Sequence, residues 1–497
     1  MLKKSINPLT KMSYEIPELI DDSEEIKKFV KLHKDKKIIV VQGLGFVGAV
    51  MSLVCANSSN NEYAVIGIDL PNEQNFWKIK SINEGIFPLI AEDPKIKTFF
   101  EESKKRKNFY ATYDPACFQL ADIIIVDINL DVQKQSNKDL ALDKFDVDLN
   151  SFKDAIRTIG ENLSSEALVL IETTVPPGTC NEIIYPILSQ ELKKRNEPFE
   201  NFALGHSYER VMPGPEYIDS IREFPRVYSG INEPSSLRIK SFLETIIDTS
   251  VCELTKLDST NASEMAKVLE NSYRATNIAF AVEWSRFAEE AGVDLYKIVD
   301  AIRVRKTHSN LMYPGIGVGG YCLTKDPLLA SWSRRNFFGS DTDLEMSVDS
   351  VSINDRMPRY AFERLKNVFG DLENKKVLFL GVSYRGDVGD TRYSPVAPLV
   401  SLVRDNRAII KLHDPFITYW QEQDEKVETD FDHALRENPD LIIISTGHSF
   451  YKTNEIIQKL MQIDSTKIYD TIGILTNKKI QTLGTKHQIS ILGRGDV

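Results

Sequence analysis

Short apolar runs that end in glycine or a polar turn alternate along this chain with helix-length stretches, and the alternation recurs near both ends. In KKIIVVQGLGFVGAVMSLVCA the pattern predicts a strand over Ile38 to Val41, a glycine turn and then a helix. Further β-type runs lie at Ala64 to Asp69, Ile123 to Asp127 and Leu168 to Thr174. Strands separated by helices imply a parallel sheet covered on both faces. From about Ser259 the character changes: no Gly or Pro occurs before Gly292, and apolar residues recur at helical spacing, which predicts one long helix. KKVLFLGVSYRGDVGDTRYSP then runs a strand into a second glycine turn, and AIIKLHDP, DLIIIST and KIYDTIG supply the strands of another α/β unit of about 120 residues. The expected fold class is therefore α/β, with two doubly wound parallel-sheet domains joined by a central long-helix domain.

Composition narrows the partners. A length of 497 residues exceeds one compact core and suggests about three domains. No apolar run approaches the length of a membrane span, and the first 35 residues carry charges throughout without the apolar core of a secretory signal, so a cytoplasmic protein without a membrane partner is expected. The five cysteines are odd in number, widely spaced and free of metal-ligand spacing, so neither a disulfide framework nor a metal site is indicated. A formal net charge of -11 opposes nonspecific binding to nucleic acid. A small-molecule partner is expected instead.

Gly43, Gly45 and Gly48 form G-x-G-x-x-G directly after the first strand, and Asp69 stands at the end of the next. In such a Rossmann-like turn, Gly43 permits the tight bend, Gly45 lets the backbone approach a pyrophosphate, and Gly48 lets helix and strand pack closely. The stretch Gly43, Leu44, Gly45, Phe46, Val47 and Gly48 is thus the candidate cofactor cradle, with helix N-terminal N–H groups facing the phosphates. Asp69 can accept hydrogen bonds from a ribose diol and would repel a 2′-phosphate, which favours NAD over NADP. A glycine turn that merely packs tightly is the alternative.

GIGVGGYCLTKD, from Gly315 to Asp326, puts Cys322 between glycines and a Lys-Asp pair. Missing Cβ atoms at Gly315, Gly317, Gly319 and Gly320 would let a substrate lie against the main chain. Lys325 and Asp326 bear on whether the thiol ionises. A buried structural cysteine is the competing reading. Thr173 and Thr174 end the strand LVLIETTV where α/β proteins bind ligands, although β-propensity alone also accounts for a Thr pair. Glu209 precedes a Pro-Gly turn and reads equally as a solvated loop residue. Lys267 and Asn271, four apart on the long helix, share one face and could stabilise an oxyanion, or simply be solvated.

Taken together, GLGFVG, TTVPPGT, YERVMPGP, the Lys-Asn helix, GIGVGGYC...KD and YRGDVGDTRYSP occur in the order found in the UDP-glucose/GDP-mannose dehydrogenase family, which this chain resembles from about Lys36 to its C-terminus. The resemblance implies an NAD-binding domain over 36–250, a central helical dimerisation domain over 251–372 that carries the cysteine loop, and a UDP-sugar-binding domain over 373–497, after an extension over 1–35. It implies NAD-dependent oxidation of C6 of a UDP-sugar to the uronic acid, for surface polysaccharide precursors, in a homodimer or larger homo-oligomer. Cys322 matches the nucleophile that forms a thiohemiacetal and then a thioester. Lys267 and Asn271 match the oxyanion and water-positioning pair, Asp326 the acid near the nucleophile, Glu209 the acid/base of thioester hydrolysis, and Thr174 a water-positioning threonine. Thr173 and Arg392 fall to the cofactor. Arg210, Tyr384, Arg385 and the glycines Gly315, Gly317 and Gly319 fall to the substrate, beside Glu209, Lys267 and Asn271.

Some positions depart from the family pattern. Tyr208 replaces the usual Pro before Glu209, and Asp127 to Asp131 replace a Val-Pro-Thr-Pro loop. Ile472 stands where many members have Arg, Arg385 replaces Lys, and the arginine lent by a neighbouring subunit has Arg303, Arg305, Lys306 and His308 as candidates. YERVMPG and GVGG look more like the UDP-N-acetylhexosamine branch than the UDP-glucose branch. The rivals are UDP-glucose 6-dehydrogenase, a two-electron β-hydroxyacid dehydrogenase, and a catalytically silent nucleotide-sugar binding protein.

Overall fold

Two glycine-turn sheets organise the chain in a computed structural model that describes residues 3–8, 10–60, 62–89, 93–198, 202–211 and 214–497. The chain divides into two compact units: Met1–Asp131, Val147–Val268 and Asn336–Phe338 form the first, and Val132–Asp146, Leu269–Arg335 and Gly339–Val497 the second.

The first unit is built on an eight-stranded sheet. Its strands are β1 (Lys37–Gln42), β2 (Tyr63–Ile68), β3 (Phe109–Thr112), β4 (Ile123–Val126), β5 (Leu168–Ile171), β6 (Ala203–His206), β7 (Arg226–Gly230) and β8 (Leu254–Lys256). They lie in the order β8-β7-β6-β5-β4-β1-β2-β3, parallel except where β6 meets β7. The central strands β1, β2, β4 and β5 are apolar runs, as burial on both faces requires, and Ile39, Val40 and Val41 are fully buried. Helix α1 (Phe46–Ala56) covers β1, with Val50, Met51, Leu53 and Val54 in the same core as Ile39, Val65 and Leu170. The expected strands occur within a residue or two of their anticipated bounds, except that Leu168–Ile171 stops short of Thr174.

The N-terminal extension is structured rather than loose. Lys4–Ile6 pairs with Ser13–Glu15, and Ser5 and Asn7 are buried, bonding the Glu73 carbonyl and Ser81 Oγ.

The long helix occurs as α2 (Thr260–Glu290). Its residues up to Val268 belong to the first unit and the rest to the second. The second unit also holds α3 (Asp326–Asn336, through Arg335), α4 (Glu345–Phe369) and α5 (Val396–Asp405). Its sheet is formed by β9 (Lys376–Leu380), β10 (Ile409–His413), β11 (Leu441–Ile444), β12 (Lys467–Asp470) and β13 (Gln488–Ile491). All are parallel, in the order β10-β9-β11-β12-β13. A hairpin that no periodicity announced, Val132–Ser136 with Leu142–Val147, follows β4. It is fixed within the second unit by Lys134 on Asp355 and Trp332 on Asp146, each at 2.7 Å. No described helix is long and apolar enough to cross a membrane.

Candidate active-site residues and what they resemble

In the first unit the sequence brings β1 directly through Gly43 into α1. Gly43 has φ +100°, and a Cβ there would lie 2.1 Å from the Asp127 carbonyl oxygen. A Cβ on Gly48 would lie 1.9 Å from the Gly43 carbonyl oxygen. Both positions need glycine for packing. Gly45 differs: nothing lies within 4 Å of a Cβ built there, and no side chain caps α1. Open space in front of an uncapped helix N-terminus suits a pyrophosphate, so the residues present fit a dinucleotide. Asp69 accepts the Leu44 N–H at 3.0 Å, with Lys78 Nζ 3.5 Å from the same carboxylate oxygen.

At the carboxyl ends of β4, β5 and β6 and the amino end of the antiparallel β7 the first unit collects charge. Thr173 is buried and bridges Val126 and Ile128; Thr174 is half-buried. Lys267, 7% exposed, donates to the Glu209 carbonyl oxygen at 2.9 Å, and its ammonium lies 5.3 Å from the Tyr208 ring. Arg210 lies 5.6 Å from the same ring and donates to the Pro225 carbonyl. Tyr208, the departure from proline, thus supplies a buried aromatic face between two cations, a role that its sequence neighbours did not advertise. Met212 and Pro213 of the same motif lie outside the described residues.

Below this layer Arg226 pairs with Glu172, both nearly fully buried, and His206 bonds Ser263 at 2.9 Å. Burial, then the charges of Lys267 and Arg226, lower the His206 pKa to about 3, so the ring is neutral. Burial pushes Glu172 up to about 7 against the pull of Arg226. Glu264, one turn before Lys267, accepts the N–H groups of Gly178 and Cys180 at 2.6 and 2.8 Å and so fastens the PPG turn to α2.

In the second unit Cys322 is exposed, whereas Cys55, Cys117, Cys180 and Cys252 are buried with pKa raised, chiefly by burial. Its carbonyl accepts the N–H of Asp326 at 2.9 Å, which places the thiol in the turn that opens α3. Lys325 and Asp326 form a buried pair at 2.8 Å, and Asn271 donates to the other oxygen of Asp326 at 2.6 Å. The Lys325 ammonium sits 4.5 Å from the Tyr321 ring centroid.

The glycines beside this turn face protein rather than open space. A Cβ on Gly319 would lie 2.4 Å from Tyr384 Cβ, on Gly320 2.9 Å from the Tyr384 ring, and on Gly317 2.7 Å from the Asn354 carbonyl; Gly315 meets only Ile472, at 4.0 Å. Arg392 is held by both oxygens of Asp390, and its carbonyl accepts the Gly320 N–H. Arg385 is exposed. Lys267 and Asn271, expected on one helix face, therefore engage different segments: the Glu209 backbone in the first unit and Asp326 in the second.

A doubly wound sheet with a glycine cradle, joined in one chain to an exposed thiol beside a buried Lys-Asp pair, defines a dinucleotide-dependent oxidoreductase. The chain belongs to the UDP-glucose/GDP-mannose dehydrogenase family, whose NAD binding domain matches residues 36–247, central domain residues 261–355 and UDP binding domain residues 378–477. It is an NAD-dependent nucleotide-sugar dehydrogenase.

A UDP-N-acetyl-D-mannosamine dehydrogenase of Pyrococcus horikoshii is 29% identical over 84% of this chain and 90% of that protein. The solved structure of UDP-D-ManNAc dehydrogenase from that organism is 27% identical, with a TM-score of 0.76 over 93% of this chain and 100% of the other. An NDP-N-acetyl-D-galactosaminuronic acid dehydrogenase structure from Methanosarcina mazei Go1 is 25% identical, with a TM-score of 0.74 over 95% and 98%.

Proposed function

We propose that the chain oxidises C6 of a UDP-N-acetylhexosamine to the uronic acid in two two-electron steps, with Cys322 as the covalent nucleophile. The observation that carries this reading is the exposed thiol of Cys322 in the turn above the buried Lys325–Asp326 pair. The N-acetylhexosamine class is supported by the names of the relatives above and by the YERVMPG and GVGG forms.

NAD, when bound, supplies the hydride acceptor for both steps. The chain's own residues do the rest. Cys322 adds to the C6 aldehyde, giving a thiohemiacetal whose oxidation yields a thioester, so the half-oxidised sugar is never released. Lys267 and Asn271 stabilise the oxyanion, and Asp326 orients Asn271 through the 2.6 Å hydrogen bond. Glu209 moves the proton during hydrolysis by a water that Thr174 positions. Thr173, Asp69 and Arg392 serve the cofactor, and Arg210, Tyr384 and Arg385 the nucleotide sugar. The domain reading follows the same logic, with 36–250 for NAD, 251–372 for the helix and cysteine loop, and 373–497 for the nucleotide.

A homo-oligomer is proposed from α2, where Leu269, Tyr273, Phe280, Trp284 and Phe287 are all exposed. Apolar exposure of this extent on one helix marks an interface. The enzyme is placed in the cytoplasm on its charge and its small-molecule chemistry.

The test is stoichiometry. Two NADH should form per UDP-N-acetylhexosamine consumed, whereas one would identify a β-hydroxyacid-type reaction. Replacing Cys322 by Ser should lower net turnover by at least about a thousandfold and spare NAD binding. A fully active Cys322→Ser enzyme, or NADH formation from UDP-glucose but from no UDP-N-acetylhexosamine, would overturn the proposal.

A further inference from the structure

Strands β1, β2 and β3 wind to one side of the first sheet and β4 onward to the other, so the ligand crevice lies outside the carboxyl ends of β1 and β4. Asp127 is the first residue beyond β4 there: its N–H donates to the Gln42 carbonyl at 2.9 Å, and its own carbonyl underlies Gly43. Its carboxyl stands at the third glycine of the fingerprint, Oδ2 being 3.3 Å from a Cβ placed on Gly48. That oxygen is buried and has no hydrogen-bond partner among the described residues, although Asp127 as a residue is half-buried, its exposure falling on its other atoms.

The charges around it do not compensate. Glu172 faces Asp127 from the end of β5, Glu209 from the loop after β6, and Arg226 from β7. Arg226 is already committed to Glu172 and to Ser207 Oγ. Beyond β1, Asp69 is engaged by Leu44 and Lys78, and α1 presents only its first turn. Burial, followed by Glu172 and Glu209, drives the Asp127 carboxyl well above the ordinary carboxylate range, with Arg226 opposing. An ionised oxygen that is shut off from solvent and has no donor is costly, whereas the neutral acid is a hydrogen-bond donor.

A dinucleotide adds two phosphate charges to this turn. We propose that Asp127 is a cofactor-site residue that keeps its proton while NAD is bound, its carboxyl O–H donating to the cofactor, so that NAD affinity depends on pH. The inference rests on Gly43 to Gly48 being the dinucleotide site. Its sign follows from linkage: binding is full while Asp127 is protonated in the free protein and weakens as pH rises past that point, by at most about tenfold per pH unit.

The measurement is calorimetric titration of the full chain with NAD between about pH 6 and pH 9, in buffers of different ionisation heat. Affinity should fall by roughly tenfold or more across that range, with close to one proton taken up on binding at the alkaline end. Asp127→Asn, whose amide donates at every pH, should keep the low-pH affinity throughout. A flat wild-type curve, or an Asn variant that follows the wild-type curve, overturns the proposal. If Asp127→Asn does not fold, Glu172→Gln, titrated down to about pH 4, decides: loss of the Glu172 charge lowers the Asp127 carboxyl, so a slope that survives at the same or lower pH supports Asp127, and the absence of any slope transfers the effect to Glu172. Absence of NAD binding at every pH is a different result, and it sinks the dinucleotide site itself.

Discussion

Asp127 in the first unit and Asp414 in the second both follow the last residue of a strand beside a glycine turn, yet the half-buried Asp127 and the fully buried Asp414 are opposite kinds of acid. Asp414 Oδ2 accepts from the Val382 and Ser383 N–H groups, Ser383 Oγ and His448 Nε2 at 2.9 to 3.3 Å, while Oδ1 accepts the Phe416 N–H. Although burial works against it, the His448 bond and charge and the backbone donors hold the Asp414 carboxyl below its ordinary value. Asp127 Oδ2 has none of these donors, and its carboxyl is pushed the other way. The deeper of the two is the one held low, so donor count can outweigh depth in deciding whether a carboxyl serves the fold or remains for a ligand. The turns differ in parallel. Gly381, with φ +98°, is closed by Thr446, whose Cβ is 2.3 Å from a Cβ built there, whereas Gly45 looks onto open space.

The most damaging way to break this contrast is at Asp414. Asp414→Ala removes the acceptor for several buried donors and should cost about 3 to 5 kcal/mol in chemical denaturation, with NAD affinity of the folded protein unchanged. Next come the strained glycines. Gly43→Ala and Gly381→Ala each demand a positive φ and a close backbone or side-chain clash, and each should lose roughly 2 to 4 kcal/mol, but only Gly43→Ala should also abolish NAD binding. Gly45→Ala sharpens the point: thermal unfolding should stay within about 1 kcal/mol of wild type while NAD binding weakens at least about tenfold.

The last effect is small per step and concerns pH. The Glu172 carboxyl stands at about 7 in the folded chain against an ordinary 4.5. A raised acid stabilises fully below its unfolded pKa, and that contribution is lost as pH rises through the folded one, here between about 4.5 and 7. Wild type should lose up to about 1.4 kcal/mol of stability per pH unit over that window relative to Glu172→Gln, measured by denaturation at pH steps. Identical pH profiles for the two proteins would show that Arg226 keeps Glu172 ionised throughout.

Sequence alone determined whatever depends on local spacing. Apolar runs fixed β1, β2, β4 and β5 of the first sheet and β9 to β12 of the second, because burial on two faces demands runs rich in Val, Ile and Leu, while β3, β6, β7, β8 and β13, shorter or more polar, were not announced. The absence of Gly and Pro from Ser259 to Gly292 fixed α2, and the fingerprint glycines fixed the cradle, because φ +100° at Gly43 excludes most side chains. The cysteine turn and the ordered motifs gave the family.

Tertiary structure decided what depends on residues far apart in the chain. The antiparallel join of β6 and β7, the hairpin after β4 and the pairing of Lys4–Ile6 with Ser13–Glu15 carry no periodic signature. Periodicity put Lys267 and Asn271 on one face, but their partners, Glu209 and Asp326, are 58 and 55 residues away. Asp127 and Asp414 look alike in sequence, each closing an apolar run. Only the folded chain assigns donors to one and withholds them from the other, because a carboxyl's charge is set by the groups that surround it in space.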